Sequence, residues 1–184
     1  MASVLIPLAD GFEELEAVTL IDLLRRAGIS VTTASLSQQL PLKASRQVKL
    51  VADKLLDDVL DQDFDMLLMP GGQPGTSNLD ADERIHALIK RLQQAGKYLA
   101  AICAAPMVLA SAGVLDGKRA TSYPGALDPQ KWPDIDICDD PIVIDGSIMT
   151  SRGPGTAMDF ALTIIELLTD KSTRDQVETS LVRA

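Results

Sequence analysis

Tyr98-Leu99-Ala100-Ala101-Ile102-Cys103-Ala104-Ala105-Pro106 runs from an apolar strand into a helix through a single cysteine. Tyr98 to Ile102 has the length and composition of a buried strand. A helical stretch follows from about Ala105 to Ala112. Pro106 suits its first turn, because the missing N–H had no helical partner there. Cys103 is left on a sharp corner. Such an elbow lifts a side chain above the carboxyl edge of a sheet, where open α/β folds place their sites. The small residues on both sides leave room for close backbone approach. A helix start behind the sulfur favours negative charge and so lowers a thiol pKa. The residues alone also allow an inert buried cysteine.

Working outward, short apolar runs alternate with helical patterns, the signature of a parallel sheet covered on both faces. Ser3 to Leu8 reads as the first strand, Glu14 to Ala27 as a helix stopped by Gly28, and Ser30 to Ser35 as the next strand. Gln38 to Lys49 is polar, with Pro41, and reads as loop and short edge strands. Asp65 to Met69 is a buried strand that feeds Pro70-Gly71-Gly72. Asp82 to Gln94 is helical, with Ile85, Leu88, Ile89 and Leu92 on one face. Arg119 to Asp140 reads as irregular with short strands. Pro141 to Ile144 and Ser147 to Thr150 flank Asp145-Gly146, a hairpin signal. Thr156 to Leu168 is a long helix, and a last amphipathic helix ends near Leu181. With no repeat or linker, residues 1–184 read as one domain.

The formal charge of -9 and the lack of a basic run argue against a nucleic-acid partner. No stretch is long enough to span a bilayer, and the apolar start lacks the basic leader of a signal peptide. Two cysteines, Cys103 and Cys138, do not make a disulfide framework, so a reducing cytoplasm is the expected location.

Glu16 falls on the helix face of Leu20, Leu23 and Ala27, at about 100° per residue. A carboxyl on that stripe is either protonated and able to donate to a thiolate, or partly exposed at the helix start. Pro70-Gly71-Gly72 is either an anion pocket of bare N–H groups or an ordinary turn. His86 lies off the apolar stripe and reads as a solvated surface residue. That argues against a Cys-His dyad and against a zinc site. Cys138 stands among Asp136, Asp139 and Asp140, whose charge disfavours a thiolate, so it reads as structural. Arg152, before Gly153-Pro154-Gly155, either reaches the site or caps a loop.

Together these segments are recognisable. Asp10-Gly11-Phe12-Glu13-Glu14-Leu15-Glu16, Arg25-Arg26-Ala27-Gly28, Leu68-Met69-Pro70-Gly71-Gly72, Ala100 to Pro106, and Thr150-Ser151-Arg152-Gly153-Pro154-Gly155-Thr156 occur in order along nearly the whole chain. The chain resembles the ThiJ/PfpI superfamily, in the branch of the parkinsonism-associated deglycase and its bacterial relatives. The resemblance implies a flavodoxin-like three-layer α/β sandwich with a mainly parallel sheet, like class I glutamine amidotransferases, and a homodimer. It implies Cys103 as nucleophile and oxidation-sensitive thiol, and Glu16 as the carboxyl bonded to it. Gly71, Gly72 and Ala104 match the backbone around the sulfur. Arg46 matches an arginine near the dimer contact, and Arg152 and Pro154 the loop beside the pocket. Tyr123 stands where some relatives carry histidine, which removes support for a histidine proton shuttle and for a protease.

The activity the resemblance implies is a glyoxalase or deglycase without cofactor or metal. Its substrates are methylglyoxal, glyoxal or early glycation adducts, in carbonyl and oxidative stress. The alternatives are a redox sensor or chaperone that signals through oxidation of Cys103, or a pocket that only binds a small carbonyl or anion.

Overall fold

Ser3–Leu8 forms β1, which turns Val4, Ile6 and Leu8 to one face of a sheet and Leu5 to the other. This is the two-residue period of a strand buried on both sides. The computed structural model describes residues 1–183. After β1 come α1 (Glu14–Arg26), β2 (Ser30–Ser35), β3 (Pro41–Lys43), β4 (Lys49–Val51), β5 (Lys54–Leu55) and β6 (Met66–Met69). The middle of the chain holds α2 (Gly75–Asp80), α3 (Glu83–Gln94), β7 (Tyr98–Ile102) and α4 (Pro106–Ser111). The remainder holds β8 (Arg119–Ala120), β9 (Asp136–Ile137), β10 (Ile142–Asp145), β11 (Ile148–Ser151), α5 (Ala157–Leu168) and α6 (Lys171–Ser180).

Seven strands form the main sheet in the order β10-β11-β7-β6-β1-β2-β5. Only β10 is antiparallel to its neighbour; every other pairing is parallel. One face is covered by α1 and α5, which bring Leu20, Leu24, Phe160 and Ile164 against Val4, Ile6 and Leu8. On the opposite face α3 and α4 bring Ile85, Leu88, Val108 and Leu109 against Leu5, Leu67 and Met69. Each such fully buried side chain contributes about 1.5–3 kcal/mol relative to exposure. This is an α/β fold with a mainly parallel sheet between helices. No helix among the described residues is long and apolar enough to cross a membrane.

Two regions differ from the sequence reading. The segment Gln38 to Lys49 does not extend the main sheet. Instead β3 and β4 pair as a separate antiparallel hairpin, tied back by Gly11 N–H to Lys43 O at 2.8 Å and Ser45 N–H to Phe12 O at 2.8 Å. The short helix α2 was not expected either. Gly75, Thr76 and Asn78 are poor helix formers, and tertiary packing of buried Thr76 and Leu79 overrides that preference.

Candidate active site

Cys103 follows the last residue of β7 and precedes Pro106 at the start of α4. Its φ is +65°, a left-handed conformation that costs a residue with a side chain about 1–2 kcal/mol. Two backbone bonds hold it there. The Cys103 N–H donates to Ser151 O on β11 at 3.0 Å, and its carbonyl accepts from Tyr123 N–H at 2.7 Å. The residue is 8% exposed, so a small reagent meets only a limited part of it.

Glu16, in the first turn of α1, is 0% exposed. The partly exposed alternative for this residue is therefore excluded. Gly71 N–H donates to Glu16 Oε2 at 2.8 Å, while Gly71 O accepts from Glu13 N–H at 2.8 Å. One turn of helix thus grips both polar groups of Gly71. A Cβ at Gly71 would stand 2.7 Å from Cys103 Cβ, so glycine is required for the glycine turn to approach the elbow this closely. The second glycine, Gly72, adopts φ +92° and lies against the backbone of Glu13.

Burial pushes the Glu16 carboxyl up to about 7; the Gly71 N–H and the Cys103 thiol oppose that rise, and the nearby Glu13 carboxylate adds to it. Burial also pushes the Cys103 thiol up, and with Glu16 ionised beside it the rise reaches about 12. The helix start alone does not set this thiol low, because α4 spans only six residues and desolvation outweighs it. Backbone N–H groups of Ala104 and Gly72 act in the opposite sense, favouring the thiolate. Two buried charges in contact disfavour each other, so the pair titrates as a unit and shares a proton. Glu16 Oε1 is buried without a hydrogen-bond partner. As a carboxylate oxygen it is an unsatisfied acceptor; protonated, it can donate to the sulfur.

Cys103, Glu16, Gly71, Gly72 and Ala104 therefore converge. Tyr123 borders them through its backbone bond to Cys103, and its exposed ring lies against the Gly153 turn. Arg152 clamps a loop, donating from Nη1 to Asp139 O at 3.0 Å, and Pro154 opens the short turn before α5. Arg46 joins through its backbone N–H, which donates to Glu14 Oε1 at 2.9 Å, while its side chain is exposed. His86 is half-buried rather than solvated, with Nε2 2.7 Å from Asp80 O. Cys138 is half-buried, its N–H bonded to Ala120 O.

Ser45 and Glu13 escaped the sequence reading. Ser45 Oγ lies 2.9 Å from both Glu13 Oε2 and Glu14 Oε2. No periodicity in the polar stretch Gln38 to Lys49 marks Ser45, and only the acidic run Glu13-Glu14-Leu15-Glu16 hints at it. Among the described residues no three His, Cys, Asp or Glu side chains gather as a metal site.

The sequence matches the model of the DJ-1/PfpI family over residues 2–167. The chain belongs to the DJ-1/PfpI family. It is 42% identical over 183 residues to protein dj-1beta of Drosophila melanogaster, covering 99% of this chain and 97% of that protein. The crystal structure of Drosophila DJ-1beta superposes with a TM-score of 0.94 at 42% identity, covering 100% of this chain and 98% of that one. Protein DJ-1 homolog A of Arabidopsis thaliana is 41% identical over 181 residues; the match covers 98% of this chain and 46% of that protein, so the chain spans less than half its length. A Caenorhabditis elegans family member, glutathione-independent glyoxalase DJR-1.2, is 37% identical over 167 residues, covering 91% of this chain and 88% of that protein.

Proposed function

We propose that this DJ-1/PfpI family member is a cofactor-free glyoxalase or deglycase for small dicarbonyls and their early adducts. The observation that carries this reading is the buried, unpartnered Oε1 of Glu16 beside Cys103. A carboxyl so placed can receive and return a proton next to a nucleophilic sulfur. The relative named a glyoxalase supports the same chemistry.

With methylglyoxal, the Cys103 sulfur bonds to the aldehyde carbon, and the former carbonyl oxygen takes the proton of Glu16. The Glu16 carboxylate then removes the hydrogen on that carbon as the electron pair moves to the neighbouring carbonyl oxygen, the hydroxyl proton passes to that oxygen, and Glu16 returns its proton to the neighbouring carbon. The resulting hydroxy thioester adds water, and the C–S bond breaks to release lactate and the thiol. Backbone N–H groups at the glycine turn stabilise the oxyanions. Purified protein is expected to form lactate from methylglyoxal without glutathione, and formation no faster than in a protein-free blank overturns the reading.

A homodimer belongs to this proposal. Leu15 and Val18 on α1 and Val48 and Val51 on the β3–β4 hairpin are exposed, on elements joined by the Ser45 and Arg46 bonds to Glu14. Sedimentation at micromolar concentration is expected to give twice the chain mass; a monomer removes this part.

The N–H donors of Gly72 and Ala104 favour a second use of the same sulfur, as a redox sensor. Mild peroxide oxidises a thiolate to sulfenate and then sulfinate, whose oxygens would meet these donors and Glu16. Mass spectrometry is expected to find oxygen on Cys103 before Cys138; the reverse order discards the sensor.

A further inference from the structure

Ser151 and Tyr123 hold the two backbone polar groups of Cys103, and both are tied to hydroxyls of the Thr150 to Thr156 segment. Ser151 is buried at the end of β11, where its carbonyl accepts the Cys103 N–H at 3.0 Å. Its Oγ lies 2.6 Å from Thr156 Oγ1 and 2.9 Å from Pro141 O. Thr156 Oγ1 also accepts from Gly153 N–H at 3.2 Å and stands 2.9 Å from Gly153 O. Two hydroxyl protons serve this group: one closes the Ser151–Thr156 bond, and the other goes to Pro141 O or Gly153 O. The loop from Arg152 to Thr156 is thereby tied to the strand end that anchors Cys103.

Tyr123 is tied to the same segment. Thr121 N–H donates to Thr150 Oγ1 at 2.9 Å, a buried bond two residues before Tyr123. The Tyr123 ring rests on Gly153, where a Cβ would stand 3.4 Å from its Cδ2. Tyr123 N–H then donates to the Cys103 carbonyl at 2.7 Å. A left-handed cysteine persists only where its surroundings over-determine it. Here they do so through hydroxyls that the aldehyde chemistry leaves unused.

We propose that Thr150, Ser151 and Thr156 are positioning residues whose hydroxyls hold Cys103 in its left-handed conformation, with its sulfur against Glu16 and the glycine turn. They act through the Cys103 backbone and not on substrate. Their effect on turnover rests on the aldehyde chemistry proposed above; their effect on the thiol does not.

Thr150→Val removes the acceptor of Thr121 N–H while keeping the side-chain shape, and Ser151→Ala frees the loop from the strand end. Each is expected to lower kcat for methylglyoxal about tenfold with KM within about twofold, because a displaced nucleophile loses the reacting geometry and not the binding. Each is also expected to bring the onset of Cys103 alkylation, read by mass spectrometry, down by about one pH unit or more, as the sulfur leaves the burial and the Glu16 charge that raise it. Thr150→Ser keeps the acceptor and restores both values. A merely structural role would lower the unfolding midpoint and leave kcat and the alkylation onset of the folded protein unchanged, and that result overturns the proposal. If Thr150→Val does not fold, Ser151→Ala decides, because it leaves Pro141 O with the Arg152 N–H and Thr156 with Gly153 O. If the unaltered protein forms no lactate, the aldehyde chemistry falls alone; the alkylation onset then decides, a downward shift supporting the positioning role and an unchanged onset overturning it.

Discussion

Cys103→Ser is expected to lower kcat/KM for methylglyoxal by about a thousandfold or more while leaving the fold intact. A serine hydroxyl is far less acidic than a thiol, so a buried Glu16 cannot share its proton with the oxygen as it does with sulfur. The Ala104 and Gly72 N–H groups, which favour the ionised sulfur, would then face a hydroxyl that ionises far less readily. A thousandfold loss corresponds to about 4 kcal/mol of transition-state stabilisation. Stability changes little, because serine has nearly the size of cysteine and can keep the same φ of +65°. The backbone bonds to Ser151 O and Tyr123 N–H do not involve the side chain. Unfolding midpoints within a few degrees of the unaltered protein, with turnover at the blank rate, are the expected pair of results. Retained turnover in the serine variant sinks the nucleophile, and a large loss of stability would make the kinetic loss uninformative about it.

The main sheet was legible because its strands are apolar on both faces and its helices keep one apolar stripe. Ser3–Leu8 and Tyr98–Ile102 coincide with the apolar runs that suggest them, and Ser30–Ser35 with its alternation of Val and Thr. Helical phase put Glu16 among Leu20 and Leu23, and those residues are buried together. Glycine and proline marked the turn at Gly71 and the elbow before Pro106. What could not be read were features made between distant segments. The bond from Tyr123 N–H to the Cys103 carbonyl joins residues with no shared local pattern. Ser45 reaches Glu13 only because the β3–β4 hairpin folds back over the start of α1. The behaviour of the thiol was hidden for the same reason. A helix start is visible in a sequence, but the desolvation that opposes it depends on everything packed around the sulfur.

Glu16→Gln separates what the carboxyl does for the sulfur from what it costs the fold. The folded-state value of Glu16 lies near 7, above the 4.5 of an ordinary glutamate, because burial disfavours its charge. The stability associated with the protonated acid is therefore full below about 4.5 and is lost as pH rises through 7. Between pH 4 and pH 8 the unaltered protein is expected to lose up to about 3 kcal/mol more than the glutamine variant. The amide oxygen of glutamine can still accept from Gly71 N–H, so both proteins fold alike at low pH. Denaturant unfolding at the two pH values measures the difference, and parallel pH dependence of the two proteins would show that Glu16 is not a strained buried acid. The same variant tests the coupling to the sulfur. The proton lost near pH 7 is that of Glu16, and the carboxylate formed there raises the neighbouring thiol, so alkylation of Cys103 in the unaltered protein is expected to stay slow through that range. With glutamine the carboxylate is gone and burial acts on the thiol alone, so alkylation is expected to set in at lower pH than in the unaltered protein. A glutamine variant that alkylates only at higher pH would mean that Glu16 sustains the thiolate instead of opposing it.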